Sequence, residues 1–287
     1  MIKDRHNPAL INKYSAYCPE GTTIIPGMIT LRNGVSLLWI RFMPSGAEGL
    51  PEILFLPGLA SIIENFKEIL KVLTRRFTVH YVETREKKSS VVPRGAGFGV
   101  GEIASDLSLV IKNIFPCDKR YMILGYSLGA TSSAEAIPLL NNKPLKLILI
   151  EPNSRFNFPP VILFLARYFV FMYHPLRPFI KWYMKKYHIN IEEDYEMYLI
   201  NSRAIDAASP RKVAAAVRAI SEYDISSVLP KIDVPVVIIG ASKDIFHSHD
   251  QAKQIFSAIR DCTFVEMENN KRTHSQEVAD WIMSNLE

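Results

Sequence analysis

Five residues, Gly125-Tyr126-Ser127-Leu128-Gly129, constrain this chain more than any other stretch. They follow the apolar run Tyr121-Met122-Ile123-Leu124 and precede a small-residue segment over 130–134. That order reads as a buried strand, a tight turn and a helix. Glycine at both ends suits such a turn, because a Cβ there would collide with the neighbouring strand or helix. The residue lifted to the apex is Ser127, its hydroxyl presented above the sheet at the positive end of a helix. Two readings compete: an exposed nucleophile, or a serine that serves only the turn. Context decides between them.

Upstream, residues 1–22 give no periodic signal and are expected to lie over the surface as an N-terminal extension. Apolar runs over 28–31 and 35–40 flank Arg32-Asn33-Gly34, and Asn-Gly between such runs predicts a hairpin in which both turn residues tolerate positive φ. Ile53-Leu54-Phe55-Leu56 lacks polar alternation, as in a strand covered on both faces. Pro57-Gly58-Leu59-Ala60-Ser61 follows it, then a helix through Phe66, Ile69, Leu70 and Leu73. A strand over 77–82, a polar loop over 83–101, a helix over 103–114, the strand to Gly125 with its helix, and a strand over 145–150 repeat the alternation. The spacing predicts an α/β fold with a mostly parallel sheet and helices on both faces.

After Glu151 the alternation stops. It resumes with strands over 234–239 and 263–267, a helix near 249–259 and an amphipathic terminal helix using Val278, Trp281, Ile282 and Leu286. The sheet needs both halves, so 23–151 and 224–287 read as one core domain. Residues 152–223 read as a helical insertion after the sixth predicted strand.

A serine hydroxyl needs a base, and a histidine base needs an acid to fix its tautomer. Open parallel sheets place their sites beyond the carboxyl ends of strands. Asp244 follows the strand over 234–239, and His274 follows the loop over 269–273 after the last strand. Glu151, at the end of the sixth strand, is the rival acid. His247 and His249 lie too near Asp244 in sequence to serve as its base. His80, His174 and His188 are assigned to structure, and no cluster has metal-ligand spacing.

The order Ser127, Asp244, His274, the elbow, the opening hairpin and the insertion together resemble the α/β-hydrolase superfamily. The resemblance runs from about residue 27 to 286. It implies Ser127 as nucleophile, His274 as general base and acid, Asp244 as orienting carboxylate, and an oxyanion hole from the N–H groups of Leu59 and Leu128. The loop commonly reads His-Gly where this chain has Pro57-Gly58. The implied activity is hydrolysis of a carboxylic ester through an acyl-enzyme, with no cofactor. The same apparatus also runs thioester hydrolysis or acyl transfer, and a non-catalytic small-molecule binding protein is the alternative from another class.

Composition limits the partners. With 48% hydrophobic residues among 287, the chain can bury a large core. The net charge of +5 comes without any nucleic-acid fold signature. Three scattered cysteines and a polar start suggest a cytoplasmic protein. Residues 155–188 hold six Lys/Arg, no acid and a dense set of aromatics. The plainer expectation is that most of these aromatics simply pack the insertion onto the sheet; lining a cap over the nucleophile, as the resemblance implies, they would favour a small-molecule apolar ester or thioester. The other is peripheral contact with an anionic membrane. Around 83–90, Arg85, Lys87 and Lys88 replace the usual Asp and Gly-rich turn. They are expected to form a solvated charged loop or, more sharply, to attract an anionic group.

Overall fold

Strands buried on both faces must place alternate side chains in two separate apolar layers, and this chain does so. The computed structural model describes residues 2–4, 8–187, 195–242 and 249–285. Nine strands form one sheet: β1 (Ile2–Asp4), β2 (Thr23–Thr30), β3 (Ser36–Met43), β4 (Glu52–Leu56), β5 (Val79–Val82), β6 (Tyr121–Tyr126), β7 (Leu147–Ile150), β8 (Val236–Ala241) and β9 (Cys262–Met267). Their order is β1-β2-β3-β5-β4-β6-β7-β8-β9, antiparallel through β3–β5 and parallel from β5 to β9. From β4 and β6, Leu54, Leu56, Tyr121 and Ile123 enter one layer, and Ile53, Phe55, Met122, Leu124 and Tyr126 enter the other.

The helices that cover the first layer include α3 (Val100–Ile114), α4 (Leu128–Ala136) and α9 (His249–Ala258). The second is covered by α1 (Pro8–Tyr14), α2 (Lys67–Leu73) and α11 (Gln276–Asn285), with the single turn α10 (Asn270–Thr273) before α11. Between β7 and β8 the insertion carries α5 (Pro160–Tyr168), α6 (Tyr173–Tyr187), α7 (Tyr195–Ala207) and α8 (Pro210–Ile220). No helix among the described residues is long and apolar enough to cross a membrane.

Three expectations need correcting. The N-terminal segment is not merely draped over the surface: β1 pairs with β2, and Tyr14, Tyr17 and Cys18 are buried in the second layer. A three-residue strand and a seven-residue helix are too short to show a period. The hairpin forms as expected between β2 and β3, with Gly34 in its turn at a φ of 82°. Asn33 uses its side chain, accepting from the Val35 N–H and donating to Asp106 Oδ1.

The cap aromatics do not pack onto the sheet as a set. Phe156 is buried, but Phe164, Tyr168, Phe169, Phe171, Phe179, Trp182 and Tyr183 are exposed. Finally, the 83–90 segment is not solvated. Arg85 and Lys87 are buried with Thr84, Glu86 and Ser90, while Lys88 is exposed. Arg85 forms a two-point pair with Asp106 at 2.7 and 2.8 Å and also donates to the carbonyls of Gly97 and Glu102. Those donors point inward, which removes Arg85 from any anion site at the mouth.

His80 is structural, as its sequence position suggested. Its Nδ1 accepts from the Trp39 indole, so Nε2 carries the proton and donates to Glu52. Burial lowers the His80 pKa and keeps the ring neutral, despite the opposing pull of Glu52.

Candidate active site

The strand order reverses beside β4: the chain leaves β4 for β5 on one side and returns to β6 on the other. A crevice opens at such a switch point, outside the carboxyl ends of the strands. Backbone strain collects there. Among the described residues three non-glycines have positive φ: Ala60 at 54°, Ser127 at 49° and Glu151 at 51°. They follow β4, β6 and β7, which are neighbours in the sheet. Such conformations persist only where the surroundings enforce them.

At Ser127 the enforcement is visible. Its N–H donates to the Ile150 carbonyl at 2.9 Å, and its own carbonyl accepts from Thr131. The flanking glycines permit the contact. A Cβ on Gly125 would sit 2.7 Å from backbone atoms of Gly129 and Ala130, and one on Gly129 would sit 2.6 Å from the carbonyl oxygens of Leu56 and Pro57. The 57–61 loop also lies against the serine, since a Cβ on Gly58 would be 3.3 Å from Ser127 Cβ. Leu59 belongs to that loop. Leu128 is the first residue of α4, so its N–H has no intrahelical acceptor.

His274 caps the C-terminal end of α10, a helical turn where a loop was expected. Its ring stacks on Phe66 at 5.9 Å and lies 5.0 Å from the Tyr126 ring. Tyr126, immediately before Ser127, donates its hydroxyl to the Thr273 carbonyl at 2.6 Å. Burial raises the Tyr126 pKa well above its usual value, and the Glu151 charge adds to this, so the phenol remains a donor. The residues preceding Ser127 and His274 are thus bonded to each other. Glu151 is buried, and its Oε1 accepts from the Thr273 hydroxyl at 2.6 Å. That hydroxyl is also 3.2 Å from His274 Nδ1.

Asp244 lies outside the described residues, as do His188 and His247. The described residues before it reach Ser242, just past β8, which runs parallel to β7.

No protein-family model matches the sequence, and no curated protein matches it. Solved structures do. A hydrolase from Pseudomonas aeruginosa PA01 superposes with a TM-score of 0.73 at 15% identity, over 93% of this chain and 98% of that one. A thermophilic esterase from Thermogutta terrifontis gives 0.73 at 19%, over 91% and 97%. A membrane phospholipase A, a bacterial virulence factor, gives 0.70 at 16%, over 97% and 89%. The chain has the α/β-hydrolase fold. At these identities the likeness carries the fold and not the chemistry.

Within the α/β-hydrolase fold of this chain, Lys87 braces the loop after β4 that lies against Ser127. The Lys87 ammonium donates to the carbonyls of Gly58 at 2.6 Å and Ser61 at 2.8 Å and pairs with Glu86 at 3.3 Å. Lys87 is therefore no better an anion site than Arg85. Lys212 of α8 donates to the carbonyls of Lys87 and Ser90, tying the insertion to the same segment. Glu86 is fully buried, and its Oε2 has no hydrogen-bond partner among the described residues. Lys87→Met is expected to leave that carboxylate without its cation and to cost about 3–5 kcal/mol in urea unfolding. A loss below about 1 kcal/mol would show that the pair is not what holds the segment.

Asn153 went unread in the sequence. Its Nδ2 donates to Ser127 Oγ at 3.3 Å, and Thr131 bonds both its N–H and its carbonyl. An asparagine three residues past a strand end carries no signal by itself. Thr273 was equally silent, whereas Tyr126 lies inside the motif but shows no role until its partner is known.

Proposed function

We propose that this protein is a serine hydrolase that cleaves a carboxylic ester with an apolar acyl or alcohol part through an acyl-enzyme. The observation that carries the reading is the strained serine at the strand-to-helix turn, one residue from a tyrosine bonded to the residue before His274. Strain held at three adjacent strand ends suits a preorganised site.

In this reading Ser127 Oγ attacks the ester carbonyl carbon as His274 takes its proton. The N–H groups of Leu59 and Leu128 receive the oxyanion. Collapse breaks the bond to the alcohol oxygen, which leaves with the proton from His274. Water then attacks the acyl carbon by the same route, freeing the acid and restoring Ser127. Asp244 is the orienting carboxylate, with Glu151 as the alternative.

A small apolar cluster beside Leu128 supports the substrate class. Val100, Ile103 and Leu128 pack with Phe156 and Ile220 from the two ends of the insertion, and Leu59 lies against them. The phospholipase among the structural neighbours adds lipid esters to those worth testing. Three unpaired cysteines suit a reducing, cytoplasmic setting.

The test is labelling by a fluorophosphonate, together with a series of p-nitrophenyl esters. Each buried methylene contributes at most about 0.8 kcal/mol, or roughly fourfold. The hexanoate is therefore expected to exceed the acetate at least tenfold in kcat/KM. Strict preference for acetate would overturn the apolar pocket, and absence of both labelling and turnover would favour a binding protein.

The acid is tested separately. Asp244→Asn is expected to lower kcat by about 10⁴, and Glu151→Gln by less than about 10². The reverse ranking would assign the acid to Glu151, acting on His274 through the Thr273 hydroxyl.

A further inference from the structure

The insertion turns an unusual surface outward. α5 and the 3₁₀ turn after it, Val170–Met172, bury none of their residues. Val161, Phe164 and Tyr168 recur at i, i+3 and i+7 along α5, which puts them on one face of the helix. Phe164 is 53% exposed and Phe171, in the turn, 71%. On α6, Phe179, Trp182 and Tyr183 are likewise exposed, with ring centroids 5.5 and 6.5 Å from Phe179. Each helix thus presents its own exposed aromatic cluster, and exposed apolar clusters of this kind mark surfaces that something covers.

The charges indicate what covers it. Residues 155–188 contain no acid. Arg155 is paired with Asp224, and Arg177 and Lys181 with Asp206. Arg167, Lys185 and Lys186 are exposed beside the aromatics, with Arg167 over the Tyr168 ring and Lys186 over the Trp182 ring. A second copy meeting this face would bring like charges together. A bilayer rich in anionic lipid offers the complement: aromatic rings settle at the headgroup boundary, and the cations meet lipid phosphates.

We infer that the exposed aromatic clusters of α5 and α6 dock on the surface of an anionic membrane. Docking would hold the insertion against lipid while α5, packed on α8, connects that face to the apolar cluster at Leu128. The inference does not depend on catalysis.

Flotation of the full chain with phosphatidylcholine vesicles, with and without 30% phosphatidylserine, tests it. The wild type is expected to float with the anionic vesicles and to be released by 0.5 M salt. Replacing Arg167, Lys185 and Lys186 with Gln should weaken binding by roughly fivefold per charge. Phe164→Ser, Phe171→Ser and Trp182→Ser combined should abolish it, leaving turnover of a short soluble ester unchanged. Absence of vesicle binding, or binding indifferent to both sets of changes, would overturn the inference. So would a wild-type dimer that the serine variant converts to monomer in sedimentation, which would make the face a contact between copies. Loss of soluble-ester turnover in the serine variant would signal damage to the fold, and the charge variant then decides: unchanged flotation overturns the inference.

Discussion

Ser127→Ala is expected to lower ester turnover by about 10⁴–10⁶ while leaving the unfolding midpoint nearly unchanged. The change removes one oxygen and keeps the Cβ, so the backbone at φ 49° carries the same strain as before. The turn is held by groups that alanine retains: the N–H to Ile150 and the carbonyl from Thr131. The change removes the Asn153 contact to Oγ and, in the proposed reaction, the nucleophile. Fluorophosphonate labelling should vanish with turnover. A variant that keeps more than about one-hundredth of wild-type kcat would show that the acyl group is carried elsewhere. Residual rate enhancement is expected even without the serine, because the proposed oxyanion donors and substrate binding would survive.

Gly129→Ala should have the largest effect on folding. The added Cβ would meet the carbonyl oxygens of Leu56 and Pro57 at 2.6 Å, and both are backbone atoms at the end of a central strand. Neither can move without breaking the register that pairs Leu56 with Gly125. Flexible side chains can yield to such a clash, but a central strand cannot. The expected cost exceeds about 4 kcal/mol, enough to remove most folded protein from a marginally stable chain. Gly101→Ala is the matched control. It lies in α3 with nothing within 4 Å of an added Cβ, and it should be neutral or stabilising by up to about 1 kcal/mol. Soluble yield and urea unfolding read both variants. Equal stability of the two would mean that α4 can shift away from β4 at little cost.

The sequence alone determined the order of elements, because burial on two faces removes polar alternation and leaves runs such as Ile53-Leu54-Phe55-Leu56 unmistakable. It also determined the apex serine, since a glycine pair around one polar residue has few uses between a strand and a helix. Short or charged stretches were not legible. β1 is too brief to show a period, and Arg85 and Lys87 look like solvent-facing residues until Asp106, Glu86 and the carbonyls of Gly58 and Ser61 appear around them.

Only the tertiary structure put Tyr126 against Thr273, Thr273 against Glu151, and Asn153 against Ser127. Those pairings join residues on different strands and turns, and no local pattern records a contact between partners over a hundred positions apart, as Tyr126 and Thr273 are. Exposure of the cap aromatics was likewise a matter of packing. The same residues could have faced the sheet or the solvent, and composition does not tell these apart.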